Sequence, residues 1–436
     1  MNALPDSLAC ADGGLDRSIS NNELESHLEQ IVEQWVISAG VERLLVLPPD
    51  HTRLFSMAGP ITQWLWRRLC DRITVDVMPA VGTHVAMSPA QCELMFGDTI
   101  PYDRVFQHRW RQDVVRLGEI SADRILELSG GRFGEPMSVE INRRLFEGRY
   151  DLILSVGQVV PHEVIGFANY TKNVCIGAGG QELIHKSHFL GAVCGMESIM
   201  GRAETPVRQA VDEAFDTFIR PRANVRFILT VIQESTQGTV LRGLYAGLDA
   251  ECFRAAANLS RQVNLTFVDA PLPRCVVFLD PREFHSTWLG NKAIYRARMA
   301  MADGGELFVL APGVKMFGED KTVDHLIRKY GYRGTDAALA AVEADPQVRQ
   351  NLTAPAHLIH GSSEGRFHIT YCPGDGLQQG EVESVGFNYL RYEEAVARFQ
   401  TGSLEDGWHV DSTGLPFYFI RNPALGLWAT SKRFGQ

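Results

Sequence analysis

Three apolar runs that each end in a polar cluster constrain this chain more than any other feature. Arg43–Leu47 stops at Pro48-Pro49 and is followed at once by Asp50-His-Thr-Arg53, and Ile73–Val77 runs toward Gly82-Thr-His84. Tyr150–Val156 gives way to Gly157–Leu190, which reads GQVVPHEVIGFANYTKNVCIGAGGQELIHKSHFL. Short apolar runs bounded by turn residues are the signature of strands buried on both faces. Open, mostly parallel α/β sheets bind ligands just past the carboxyl ends of such strands, which is where all three clusters fall.

The third cluster is the densest. It holds His162, Lys172, His185 and His188 around Gly177-Ala-Gly-Gly180, which leads into a helix-like segment. A single histidine among apolar residues is most often structural, because imidazole is well accommodated once hydrogen-bonded. Four polar groups after one strand point further. His185 and His188 lie three apart and share a helix face, which suits ligation of a metal by one of them. Lys172 stands where an amine is desolvated or covalently modified. Gly177 and Gly179 allow a close backbone approach, and the N–H groups opening the next helix could face an anion. Arg53, just beyond a buried strand, suits bidentate binding of a carboxylate or phosphate. Thr52 reads equally as a capping residue, and His51 and His108 read as structural.

At 436 residues the chain exceeds what one core usually holds, so two domains are expected. The boundaries follow from the pattern: an α/β domain over 1–268, a proline-rich hinge over 269–278, and a second α/β domain over 279–404. The aromatic, strand-like end, 405–436, is expected to return to the first domain. Further strands of the first sheet are expected at Val225–Val231 and Val263–Val268, with helices at 140–150 and 200–220 and a flexible start over 1–20. The fold class is α/β with mostly parallel sheets and the active site in the interdomain cleft.

A formal charge of −10 argues against nucleic acid or an anionic membrane as partner. No stretch is long enough for a membrane span, and the first residues lack a secretory pattern, so a cytoplasmic chain is expected. The eight cysteines form no C-x-x-C pair and read as free, mostly buried thiols.

Taken together, Pro49-Asp-His-Thr-Arg53, Gly82-Thr-His84, Pro161-His162 with Gly166-Phe167, Lys172 and His188 resemble the nickel-dependent lactate racemases and their 2-hydroxyacid racemase and epimerase relatives. The intervals from His162 to Lys172 and from Lys172 to His188 fit that family, and the resemblance covers most of the chain. It implies a nickel-pincer nucleotide carried by Lys172 as a thioamide, with nickel held by His188 and with Asp50, Thr52, Gly177 and Gly179 around the cofactor. It implies His84 and His162 as paired acid/base groups, and Arg53 and Lys292 as the cations that hold a small-molecule substrate. Maturation would need the cofactor-synthesis enzymes.

Such chemistry is physically sensible. The α-hydrogen beside an ionised carboxylate is a very poor acid, so reversible hydride removal is an easier route to inversion, with a histidine taking the hydroxyl proton. Two positions depart from the family. Ala168-Asn-Tyr-Thr171 replaces a Ser-Gly-Gly type run, and Trp288-Leu289 replaces Tyr-Gln, which implies a substrate larger and less polar than lactate. Two other readings stay open: an NAD-dependent dehydrogenase using the Gly177–Gly180 cluster, and a non-catalytic binding protein of racemase descent.

Overall fold

The computed structural model describes residues 8–82, 84–235 and 238–435. Thr83 of the Gly82–His84 cluster, and the first seven residues of the expected flexible start, lie outside them. The chain separates into two compact units, one of residues 1–190 and 199–264 and the other of 191–198 and 265–436. Each is an α/β unit built on a mostly parallel six-stranded sheet.

The strands of the first unit are β1 (Leu8–Gly13), β2 (Arg43–Leu47), β3 (Thr74–Val77), β4 (Val114–Ile120), β5 (Met137–Asn142), β6 (Leu152–Gln158), β7 (Pro161–His162), β8 (Gly166–Phe167), β9 (Val225–Ser235) and β10 (Gly238–Gly247). The main sheet has the order β1-β10-β9-β6-β2-β3, parallel from β9 to β3 and antiparallel at β10 and β1. β2 and β6 are central, and Leu44–Leu47 and Leu152–Leu154 are essentially inaccessible. This burial on both faces is what their uninterrupted apolar sequences require. The helices Asn21–Val32 and Ala58–Leu69 bury one face each against the sheet. The first opens with a capping box, Ser20 with Glu23, which satisfies end N–H groups that have no partner inside the helix.

Several expectations are corrected here. Residues 8–13, expected to be flexible, form β1 beside β10. Residues 137–142 are strand β5, paired with β4, and only Arg144–Glu147 is helical. Val263 ends an amphipathic helix, Ala250–Asn264, rather than opening a strand of the first sheet. The short strand that follows, β11 (Leu265–Phe267), pairs in the second unit with Leu427–Ala429.

The second unit continues with β12 (Leu272–Phe278), β13 (Met301–Ala311), β14 (His368–Pro373), β15 (Asn388–Tyr389), β16 (Gly407–Val410), β17 (Pro416–Ile420) and β18 (Leu427–Ala429). Its sheet order is β15-β14-β13-β12-β17-β16. Residues 405–436 therefore stay in this unit rather than returning to the first. The reason is Phe417-Tyr-Phe-Ile420, an apolar run that is buried only by lying parallel to β12. Among the described residues no helix is long and apolar enough to cross a membrane, and all eight cysteines are free, six of them buried.

Candidate active site

The site is assembled at the carboxyl ends of β2, β3 and β6. Beyond β2, Asp50 caps the 3-10 turn His51–Ser56, accepting hydrogen bonds from the Thr52 N–H and hydroxyl. The path after β3 is pinned beside it, since Ala80 N–H donates to the Pro48 carbonyl (2.7 Å) and Gly82 N–H to the Gly177 carbonyl (2.9 Å). These bonds place His84 so that its Nδ1 meets Asp50 Oδ2 at 2.6 Å. Asp50 is 2% exposed. Burial would raise its pKa, but the hydrogen bond and charge of His84, with the bond from Thr52, hold it down to about 2.

Beyond β6, the β7–β8 hairpin carries His162, buried at 7% exposure. Its pKa lies well below the ordinary imidazole value because of burial, against the opposing charge of Glu163, whose Oε2 is 3.7 Å from Nδ1. The chain then turns through Asn169 (φ 67°) and Tyr170 (φ 59°, ψ −135°), a conformation few side chains adopt. Fully buried Arg208 spans this turn, donating to the carbonyls of Phe167 and Asn169 and to the Thr171 hydroxyl. The Tyr170 ring stacks on Phe253 (centroids 5.3 Å, 14°) and lies 4.4 Å from Phe227.

The turn delivers the short helix Thr171–Cys175. Asn173 anchors it to both central strands, its Nδ2 donating to the Leu47 carbonyl (2.9 Å) and to Ser155 Oγ (3.0 Å). Lys172 is thereby held partly buried, and it makes no hydrogen bond or ion pair among the described residues. Burial, with the charge of Arg53, lowers its pKa from 10.5 to about 8. The Arg53 guanidinium likewise has no hydrogen bond or ion pair among the described residues, and its charge is felt by both Lys172 and His162.

The helix Gln181–Val193 carries His188. Its Nδ1–H donates to the Ile184 carbonyl (2.7 Å), which leaves the Nε2 lone pair as the available donor to a metal. Burial lowers its pKa to about 4. His185, its neighbour on the helix face, is buried with its ring 6.0 Å from that of Trp110.

The backbone N–H groups of the glycine cluster are engaged within the protein. The N–H groups of Gly177, Ala178, Gly179 and Gly180 donate to the carbonyls of Lys172, Val174, Ile176 and Glu140. Gly177 and Gly179 are instead demanded by crowding, since a Cβ would collide with the carbonyls of Asn173 and Cys175. With no free N–H in the cluster for a pyrophosphate, the dinucleotide reading loses its basis. Thr52 donates its N–H and hydroxyl to Asp50, which also accepts from His84. His108 is structural as expected, donating from Nε2 to the Gly179 carbonyl and accepting from Asn142.

Two contributors escape sequence reading. Glu163 is the acidic group felt by His162, Lys172 and His188 alike, and only its position next to His162 hints at this. Arg208 lies among the apolar positions of Pro206–Ala214, an anomaly that could have marked it. In the second unit, Lys292 opens a short helix with Nζ 4.0 Å from Glu283, and the Trp288 ring lies 4.3 Å from that of His357.

Residues 16–201 match the family model of the lactate racemase N-terminal domain. This stretch contains Asp50, Arg53, His84, His162, Lys172 and His188, so the family resemblance holds where the site residues are. A crystal structure of a Thermotoga maritima protein is similar over 95% of this chain and 99% of its own, with 22% identity and a TM-score of 0.81. The lactate racemase apoprotein from Thermoanaerobacterium thermosaccharolyticum is similar over 98% and 96%, with 14% identity and a TM-score of 0.68. Both are likenesses of fold. No curated protein matches the chain.

Proposed function

We propose that this chain is a racemase or epimerase of a 2-hydroxyacid that works with a nickel-pincer nucleotide tethered to Lys172. The observation that carries the reading is Lys172 itself. It is a partly buried amine without hydrogen bond or ion pair among the described residues and with a pKa lowered to about 8, inside the stretch that matches the racemase domain. Such an amine is nucleophilic at neutral pH, as covalent attachment needs.

The other residues fit the same group. His188 offers one Nε2 lone pair, and no set of three or more His, Cys, Asp or Glu among the described residues could hold a metal alone. A nickel ion here would take its remaining donors from the tethered nucleotide. Arg53 supplies a cation for a carboxylate or phosphate. When bound, the cofactor supplies the electrophile that accepts the α-hydrogen as hydride. His84, oriented by Asp50, and His162 are the proposed acid/base pair for the hydroxyl proton, with the Glu163 carboxylate beside His162. Lys292 is the proposed second substrate cation, and Trp288 with Leu289 favours an apolar or aromatic tail over lactate. The protein is expected to act in the cytoplasm, matured there by the cofactor-synthesis enzymes.

The test is mass spectrometry of the Lys172 peptide after co-expression with those enzymes. Covalent addition to Lys172, absent in Lys172→Ala, is expected. An unmodified Lys172 under those conditions overturns the proposal.

A further inference from the structure

The two candidate acid/base histidines differ in a way their symmetrical roles would not suggest. A neutral imidazole carries one proton, and the partner of one ring nitrogen decides where it sits. His84 Nδ1 lies 2.6 Å from a carboxylate oxygen of Asp50, which only accepts while ionised, so the proton is on Nδ1 and Nε2 has a lone pair. At His162 the partner is opposite in kind. The Val164 backbone N–H donates to His162 Nδ1 at 3.2 Å, and an amide N–H cannot accept, so Nδ1 holds the lone pair and Nε2 the proton. Glu163 does not reverse this, because its carboxylate stands 3.7 Å from that nitrogen, beyond hydrogen-bonding distance.

We infer that His84 and His162 meet the substrate as opposite tautomers, His84 as a proton acceptor through Nε2 and His162 as a hydrogen-bond donor through Nε2–H. The inference rests on the racemase reading and divides the labour within it. On that reading the hydroxyl proton of one enantiomer would pass to His84 Nε2, while a bound cofactor would supply the acceptor for the α-hydrogen. No proton leaves His162, whose Nε2–H donates to an oxygen of the bound molecule and polarises it, as a neutral imidazole can. The opposite enantiomer, with its hydroxyl toward His162, finds no base until the proton has moved from Nε2 to Nδ1 and the Val164 bond has broken. The sequence gives no hint of this, because the deciding donor is a backbone N–H.

Nitrogen-15 NMR of histidine-labelled protein, purified without cofactor, reads the tautomers directly. His84→Gln and His162→Gln serve to assign the signals. The expected spectrum near pH 8 has His162 protonated at Nε2 and unprotonated at Nδ1, and His84 the reverse. The same tautomer at both residues, or a proton on His162 Nδ1, overturns the inference. If a variant fails to fold, sequence-specific assignment of the wild-type ring signals identifies His162 in its place, and separates it from His108, which holds the same tautomer between the Gly179 carbonyl and Asn142. In cofactor-loaded protein, single-turnover formation of ketoacid should be faster from one enantiomer, by about 10²-fold or more for a missing general base. Equal rates would also count against it. The tautomer spectrum is taken without cofactor and does not depend on the mass of the Lys172 peptide, so failure here and failure of the racemase proposal are distinguishable.

Discussion

Replacing Lys172 with methionine should make the protein more stable at neutral pH while abolishing cofactor attachment. Burial and the charge of Arg53 bring the lysine from 10.5 to about 8, so the folded state pays to keep it protonated. That fall corresponds to about 3 kcal/mol. Because the side chain is partly exposed, solvent screening reduces the expected gain to about 1–3 kcal/mol. For a unit of this size the rise in Tm would be roughly 2–4 °C per kcal/mol. The sign depends on pH. Between about 8 and 10.5 the unfolded chain binds the proton that the folded chain has lost, so wild-type stability rises with pH across that window. The penalty is complete below pH 8 and absent above 10.5, and the advantage of Lys172→Met should follow the same course. Thermal melts of both proteins from pH 7 to 11 measure it. A variant less stable than wild type at pH 7, or a gap that does not shrink above pH 8, would refute the reasoning. Neutralising the amine by attachment of the cofactor should stabilise the protein in the same sense.

Three further outcomes are expected. Asp50→Asn removes the acceptor that orients His84, and should lower kcat of loaded enzyme by about 10²–10⁴-fold with a smaller change in KM; an unchanged kcat would remove Asp50 from the mechanism. His188→Ala should lose nickel on dialysis while still showing the mass addition on Lys172, measured by metal analysis beside mass spectrometry, and full retention of nickel would exclude His188 as ligand. Across enantiopure 2-hydroxyacids, those with apolar or aromatic tails should turn over faster than lactate, since a polar group left unpaired against Leu289 costs about 1–3 kcal/mol; faster loss of optical activity with lactate, or with a polar sugar acid, would overturn the role of Trp288 and Leu289.

What could be read from sequence divides along physical lines. β2, β3 and β6 are legible because central parallel strands have no polar face to interrupt the apolar run, and the clusters beyond them are legible because polar residues are unusual there. β10 is less so: Gly243 and Gly247 break its alternation, and pairing with β1 closes only across more than 200 residues of sequence. Val263–Val268 misleads because the end of an amphipathic helix and a short strand run together without a turn signal. Gly177–Gly180 misleads for another reason. Glycine marks close approach, but sequence does not say to what, and here the neighbour is the protein's own backbone rather than a phosphate. The charges of Arg53 and Lys172 are visible in the sequence, whereas Arg208 and the Val164 N–H act through geometry.

The turn through Asn169 and Tyr170 also bears on how this chain can change over evolutionary time. A tyrosine with φ near +59° costs about 1–3 kcal/mol. Its contacts with Phe227 and Phe253 return about 0.5–1.5 kcal/mol each beyond simple burial. Neither side of that balance is tolerable alone: tyrosine in a glycine-type turn without the aromatic wall is strained, and the wall without tyrosine is a void. The three positions are therefore epistatic. Glycine at 170, harmless in a relative that lacks the wall, should be damaging here, and Tyr170 transplanted singly into such a relative should be damaging there.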